Sequence, residues 1–114
     1  MTYATRLPKI VGSAQPEAGV LTTITEIAAN SNAYGSVFVA NVSDTTVETV
    51  RLLVKPAEDP VGPHQYLLWD TPIEPNGMVI IANIGLNGGE QLMASSTQGL
   101  ATFNLTGDQI INNA

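Results

Sequence analysis

The most constraining feature of this sequence is a series of short β-type segments separated by turn residues at regular intervals. Val, Ile, Thr and aromatic residues are concentrated in residues 20–27, 34–42, 47–54, 64–70, 78–83, 90–95 and 100–105. Asn, Asp, Gly, Ser and Pro cluster between these segments, and no helical period of useful length is present. Residues 24–30 are too short and too rich in Thr and Ile to form a competing helix. The spacing therefore predicts a single all-β domain.

Hydrophobic patterning within two of these segments predicts how they are buried. In residues 34–42, two valines point to one face while Phe38 and Ala40 point to the other. Two apolar faces are typical of a central strand. Residues 47–54 alternate apolar and polar side chains, which is typical of a strand with one face in solvent.

Seven to eight strands at this spacing predict a small β-sandwich, either Ig-like or jelly-roll-like. Hydrophobic alternation alone does not choose between these topologies. Asn76-Gly77 and Thr97-Gln98-Gly99 stand between apolar segments and are interpreted as hairpin turns. The apolar positions expected in the core are Ile24, Val37, Val39, Val50, Leu52, Leu68, Ile80, Leu92, Phe103 and Leu105.

The 114 residues are enough for one domain with a modest core. We expect the sandwich to occupy residues 20–114. Residues 1–19 differ in composition, because prolines, glycines and two basic residues surround a short apolar patch at Ile10-Val11. This composition predicts an extended N-terminal arm with one edge strand, which either docks on a neighbouring subunit or is a flexible tail.

The charge distribution argues against two classes of partner. The net charge is −6, and every charged residue after Lys55 is acidic. No basic stripe is therefore available to bind nucleic acid, and an anionic membrane surface would repel the chain. Charged residues make up only 12% of the chain. Such a low fraction suits a subunit that buries part of its surface against other subunits.

The sequence also indicates where the chain is made. It contains no cysteine, so it has neither disulfides nor a thiolate metal site. The first residues lack the apolar run of a signal peptide, and no stretch approaches the length of a membrane span. We therefore expect synthesis in the cytoplasm.

No combination of side chains predicts catalysis. His64 is the only histidine, so no two-histidine metal site or histidine-relayed nucleophile network is available beyond it, and its position after Pro63 suits an ordinary surface or loop role. Asp70 and Glu74 have the spacing of a carboxylate pair, but the chain has too few aromatic residues to line a glycosidase cleft. Asp70 is instead interpreted as capping a turn before Pro72.

Candidate metal ligands are equally sparse. Glu58-Asp59, and Asp44 with Asn41, offer oxygen atoms but lack the spacing of a calcium-binding loop. No phosphate-binding glycine motif is present either. We therefore expect a protein that is not an enzyme and that holds neither a metal nor another cofactor.

Two aromatic residues lie on the predicted strand 64–70. Tyr66 and Trp69 are three residues apart, and on a regular strand their side chains face opposite sides. The rings are therefore not expected to form one stacking platform. We expect Trp69 to pack in the core rather than against a sugar, and Tyr66 to be an interface residue, since tyrosine is enriched at interfaces.

Several segments have a recognisable order along the chain. They are residues 36–43 (SVFVANVS), 50–54 (VRLLV), 69–73 (WDTPI), 75–77 (PNG) and 101–107 (ATFNLTG). Together they resemble small virion structural proteins of tailed bacteriophages, in which a short β-sandwich chain repeats this order of elements. The resemblance extends over residues 20–111 and does not cover the first 19 residues.

The resemblance implies a non-enzymatic component of the virion, above all a capsid decoration (cement) protein that clamps subunits of the major capsid protein. A symmetric homo-oligomer, with a trimer as the first expectation, would supply avidity. The residues expected at partner contacts are Arg6, Lys9, Ile10, Val11 and Tyr66. Two alternatives stay open: a tail, neck or baseplate component in few copies, and a carbohydrate- or receptor-binding module that uses Trp69.

Overall fold

The computed structural model describes residues 3–113, which form eight β-strands. These are β1 (Tyr3–Ala14), β2 (Thr22–Glu26), β3 (Ser31–Asn41), β4 (Glu48–Lys55), β5 (Tyr66–Ile73), β6 (Met78–Leu86), β7 (Gln91–Ser96) and β8 (Ala101–Asn113). A 3-10 turn, Pro63–Gln65, precedes β5. Within the described residues, no helix is long and apolar enough to cross a membrane. The prediction of an all-β fold is confirmed.

The strands form two antiparallel four-stranded sheets that pack face to face. The first sheet has the order β1-β8-β3-β6 and the second the order β2-β7-β4-β5. Among the described strands, β4 and β5 are the one consecutive pair that shares a sheet, so the chain otherwise crosses between the layers at each connection. This interleaved order is that of an eight-stranded jelly roll. It decides between the two sandwich topologies that the sequence left open.

The two turns predicted to close hairpins instead connect the two sheets. Gly77 N–H donates to the carbonyl of Glu74, and Asn76 has φ +58°, which gives a tight turn between β5 and β6. Residues 97–99 similarly join β7 of the second sheet to β8 of the first. Both hairpin predictions are wrong, because turn residues specify a chain reversal but not the strand that pairs after it.

The N-terminal segment is the edge strand of the first sheet. β1 pairs with β8 from Tyr3 opposite Asn113 to Ala14 opposite Phe103. The predicted arm of residues 1–19 thus contains the one edge strand expected there, whereas a separate role for the arm stays a prediction. The last strand was expected to end at residue 105, but it continues to residue 113 because β1 and β3 flank it on both sides.

A pair of glycines allows β3 and β8 to approach closely. Gly35 lies opposite Gly107 in the register. A Cβ atom on Gly107 would lie 2.0 Å from the backbone oxygen of Tyr34, and one on Gly35 would lie 2.3 Å from that of Thr106. Both contacts are with backbone atoms, so no side-chain movement could relieve them.

The core between the sheets contains most of the expected residues. Eight of the ten expected positions are buried, and Leu68 is partly buried against them. Ile80 is the error, since its side chain is 52% exposed. On β6 it is Val79 and Ile81 that pack against the core. Because the segment is apolar on both faces, its sequence gave no alternation from which to choose the inward face.

Candidate functional site

A partly exposed group of side chains lies on the outer face of the second sheet, where β4 and β5 pair. Val50 and Leu52 of β4 are fully buried in the core, so Arg51 between them points outward. From β5, Tyr66, Trp69 and Asp70 surround it. These four outward-facing residues, Arg51, Tyr66, Trp69 and Asp70, are called the Arg51 cluster below.

β-Bulges in β5 bring Tyr66 and Trp69 to the same side. Leu52 of β4 pairs with Leu68, and the register shifts on both sides of this pair. One bulge therefore lies between Tyr66 and Leu68, and the other lies between Leu68 and Thr71, where Asp70 has φ +47°. Each bulge adds an unpaired residue and reverses the side-chain alternation beyond it. The two ring centroids are 4.6 Å apart with the planes at 86°, an edge-to-face contact. The prediction that the rings face opposite sides is therefore wrong.

Trp69 is on the surface, and this corrects the expectation that it packs in the core. Its side chain is 54% exposed, and the guanidinium carbon Cζ of Arg51 lies 3.6 Å from the centroid of its ring. This stacking is a cation–π contact, which Arg makes readily because its guanidinium is planar and weakly hydrated. The indole is therefore held in place without being buried.

Asp70 fixes the other side of Arg51. Arg51 Nε donates to Asp70 Oδ1 at 2.7 Å and Arg51 Nη2 donates to Oδ2 at 3.1 Å, which is a bidentate pair. The bonds from Arg51 lower the pKa of Asp70, and the bond to Asp70 raises the pKa of Arg51. Asp70 therefore holds Arg51 rather than capping a turn as the sequence suggested. The cluster is pre-arranged, and Trp, Tyr and Arg are the residue types enriched at interface hot spots.

A small polar cavity of about 160 Å³ adjoins the cluster. Arg51 and Asp70 line it together with Thr49, Ser95 and Thr97. The hydroxyl groups of Thr49 and Thr97 are 2.7 Å apart, so they form a hydrogen bond across the sheet. The cavity presents hydroxyl groups and a charged pair beside an exposed indole, an arrangement suited to polar ligands.

The other residues expected at partner contacts lie on β1, in the opposite sheet from Tyr66. Arg6 forms an ion pair with Asp108, and Lys9 Nζ donates to Gln109 Oε1 at 3.2 Å. Ile10 is 58% exposed, whereas Val11 is partly buried and packs against the core. The structure therefore does not bring these four residues together with Tyr66. Their role in partner binding stays a prediction.

Sequence reasoning missed a buried carboxylate. Glu48 is fully buried at the start of β4, on the same face as Val50 and Leu52. Ser96 Oγ donates to Glu48 Oε2 at 2.8 Å. Glu48 also accepts bonds from the backbone N–H groups of Thr49, Gln98 and Leu100.

These contacts determine the charge state of Glu48. Burial raises its pKa, but the bonds from Leu100, Ser96, Gln98 and Thr49 outweigh burial, so the pKa lies below its ordinary value. The carboxylate thereby ties β4 to the turn between β7 and β8. The alternation of residues 48–54 already placed Glu48 on the inward face, and that was the available signal.

Asn41 ties together two of the sequence motifs. Its Nδ2 donates to the carbonyls of Thr46 at 2.7 Å and Ile73 at 3.0 Å, and its Oδ1 accepts from Ser43 N–H at 3.0 Å. Segment 41–43 is therefore bonded directly to the end of segment 69–73. Asn41 is 2% exposed. Its side chain is committed to these structural bonds.

The remaining titratable residues considered from sequence do not assemble into a site. Within residues 3–113, no three His, Cys, Asp or Glu side chains are grouped so that they could hold a metal ion. His64 is exposed in the 3-10 turn, and Glu58 and Asp59 are exposed in the loop before it.

Comparison with known proteins adds little. No protein-family model matches the sequence, and no curated protein matches it significantly. A solved structure of infectious bursal disease virus, Gx strain, contains a chain that aligns with 99% of this one at 13% sequence identity and a TM-score of 0.42. This chain spans 33% of the length of that viral chain. A likeness of this strength carries no weight for function.

Proposed function

We propose that this chain is a non-enzymatic structural protein of a virus particle, and specifically a capsid decoration protein of a tailed bacteriophage. The observation that carries the proposal is the Arg51 cluster, which presents Trp69, Tyr66 and Arg51 together on the outer face of the second sheet. The motif resemblance to phage virion proteins supports the same conclusion. The jelly-roll order is compatible with it, since this fold recurs in capsid proteins as well as in lectins.

The binding mechanism follows from general interface physics. A persistent contact needs upward of about 1,000 Å² of buried surface with a few anchoring side chains near its centre. The cluster would supply such anchors at little entropic cost, because Arg51 and Trp69 already hold each other in place. Exposed residues of β1, namely Arg6, Lys9 and Ile10, would form a second contact with the major capsid protein. Assembly as a symmetric oligomer would add avidity.

Binding of the purified chain to particles that lack it tests the proposal. The Trp69→Ala variant is expected to lose at least about 2 kcal/mol of binding free energy, which is a roughly 30-fold higher dissociation constant. The matched control is Tyr34→Ala, since Tyr34 is an aromatic residue of similar exposure, 51%, in the other sheet. Equal binding by the two folded variants would contradict the role of the cluster.

A carbohydrate- or receptor-binding module is the second candidate, and the exposure of Trp69 beside the polar cavity favours it. An indole face and nearby hydroxyl groups suit a sugar ring. However, Arg51 already covers one face of the indole, so a sugar could stack only on the other. A glycan array separates the two candidates. A carbohydrate-binding module is expected to bind glycans, and Trp69→Ala is expected to abolish that binding. A decoration protein is expected to bind particles in the absence of any glycan ligand.

A further inference from the structure

The two sheets have four edges within the described residues, and three of them carry charged residues, which discourage pairing with another strand. β1 contains Arg6, Pro8 and Lys9. β2 has only five residues and ends with Glu26. β5 has Asp70 and a proline, and it is interrupted by bulges. Charges, prolines, shortness and bulges are the usual means by which exposed edges avoid association.

The fourth edge, β6, lacks charges and prolines along its whole length. Its sequence is MVIIANIGL, and its pairing with β3 is regular from Met78 to Ile81, before a bulge at residues 82–83 where Asn83 has φ +61°. Met78 is 57% exposed and Ile80 is 52% exposed on its outer side. The stretch from Met78 to Ile81 is therefore an apolar edge without charges that is open to pairing with another strand.

The backbone of β6 is oriented for such pairing. Asn41 N–H donates to the carbonyl of Gly77, and the next residues along, Ala40 and Met78, lie opposite each other. Hydrogen-bonded and non-hydrogen-bonded pairs alternate in an antiparallel ladder. The N–H and C=O groups of Met78 and Ile80 therefore point away from β3 and toward the free edge.

We propose that two copies of this chain join through β6, antiparallel and about a two-fold axis at Ile80, to form one continuous eight-stranded sheet. Ile80 would then lie opposite its counterpart, and Val79 of each copy would lie opposite Ile81 of the other, within the part of β6 that precedes the bulge. The inference rests on the proposed function, because it names the partner in the symmetric oligomer. The proposed oligomer has two-fold symmetry, whereas a trimer was expected from the sequence.

Charge favours a second copy as the occupant. A two-fold axis places identical strands against each other, so any charged residue near the axis meets a like charge. Self-pairing of β1 would bring Arg6 and Lys9 of the two copies together, which destabilises cross-strand pairs, whereas β2 is short and β5 is bulged. β6 has no charged residue and incurs no such repulsion. Phe38 and Ala40, opposite Ile80 and Met78 on β3, would extend the apolar contact on the outer face.

Sedimentation equilibrium of the full chain tests the proposal without virus particles. The expected result is a concentration-dependent species of twice 12.0 kDa. Ile80→Lys should raise the dimer dissociation constant by about 100-fold, since opposing ammonium groups cost several kcal/mol. Ile10→Lys is the matched control, because Ile10 is 58% exposed at the other edge of the same sheet. A monomer at all concentrations, or dissociation by Ile10→Lys alone, would overturn the proposal.

Cysteine crosslinking gives a second test that does not need a charged variant to fold. The chain has no cysteine, so Ile80→Cys introduces a single thiol. Directly opposed residues in such a pair have Cα atoms about 5.5 Å apart, within the range of about 4.4–6.8 Å that a disulfide spans. Oxidation should convert this variant, but not Ile10→Cys, to a covalent dimer. Equal crosslinking of the two variants would refute the β6 interface and leave the virion proposal unaffected.

Discussion

Replacing Glu48 by glutamine perturbs the one carboxylate that is fully buried within residues 3–113. Oε1 accepts bonds from Thr49 N–H and Gln98 N–H, at 2.9 and 3.1 Å. Oε2 accepts bonds from Ser96 Oγ and from the N–H groups of Gln98 and Leu100, at 2.8, 3.0 and 3.0 Å. In Glu48→Gln, one oxygen becomes an NH₂ group. In either amide orientation this group faces backbone N–H donors and can accept nothing from them.

The expected cost follows from the bonds that are lost. Hydrogen bonds to charged groups contribute about 1.5–3 kcal/mol each, and a buried donor left unsatisfied costs about 1–3 kcal/mol. The glutamine oxygen retains the bonds on one side, so the losses are partial. We expect Glu48→Gln to lower the free energy of unfolding by about 2–4 kcal/mol, which is a large part of the roughly 5–15 kcal/mol typical of a domain.

The pH dependence provides an independent check of the cause. The pKa of Glu48 in the folded chain is below its ordinary value of 4.5. Its contribution to stability is therefore fully present above pH 4.5 and is lost as the pH falls through the folded-state pKa. Glutamine does not titrate. The difference in stability between wild type and Glu48→Gln should therefore shrink as the solution is acidified below that value.

Urea unfolding followed by circular dichroism, at about pH 7 and in acid, measures both effects. The control is Glu74→Gln, because Glu74 is an exposed carboxylate at the end of β5. Its urea midpoint should stay close to that of wild type. If Glu48→Gln unfolds at the wild-type midpoint, or if the difference does not shrink in acid, the reasoning about the buried carboxylate is wrong.

Three further predictions concern the rest of the fold and the Arg51 cluster. Asn41→Ala should lower the free energy of unfolding by about 2–3 kcal/mol in urea titrations, because the carbonyls of Thr46 and Ile73 lose their donor; an unchanged midpoint would contradict that role. Gly107→Ala should cost at least about 1–3 kcal/mol and lower the melting temperature, because the added methyl group meets the backbone of β3; an equal or higher melting temperature would refute the close approach. Arg51→Ala should increase acrylamide quenching of Trp69, the only tryptophan, because it uncovers one face of the indole; unchanged quenching would argue against the stacking.

The sequence was sufficient to predict the fold class, because the alternation of apolar and polar residues is visible within individual strands. The Val50 and Leu52 positions are buried as predicted, and β3 is a central strand, flanked by β8 and β6, with Val37 and Val39 buried. It was insufficient for the topology. The turn at Asn76-Gly77 has the composition of a hairpin turn, yet the strands on its two sides lie in different sheets. Each of them pairs with a strand that is not its neighbour across this turn.

The candidate site was missed for a local geometric reason. Alternation assigns Trp69 and Tyr66 to opposite faces only if β5 is regular, and its bulges change that assignment. Bulges leave no unambiguous trace in a single sequence. Ile80 was misplaced for a different reason: a segment that is apolar at every position shows no alternation from which to infer its inward face. The burial of Glu48 was accessible in principle, since it continues the inward face of β4, but a carboxylate is rarely placed there.

The most direct test of the proposed function is the copy number of this chain in purified virus particles, measured by quantitative mass spectrometry against the major capsid protein. A decoration protein predicts a ratio near one, or a simple fraction of one that matches a symmetry position of the capsid. A handful of copies would contradict decoration and favour a tail, neck or baseplate component. Complete absence from the particle would contradict the virion role itself.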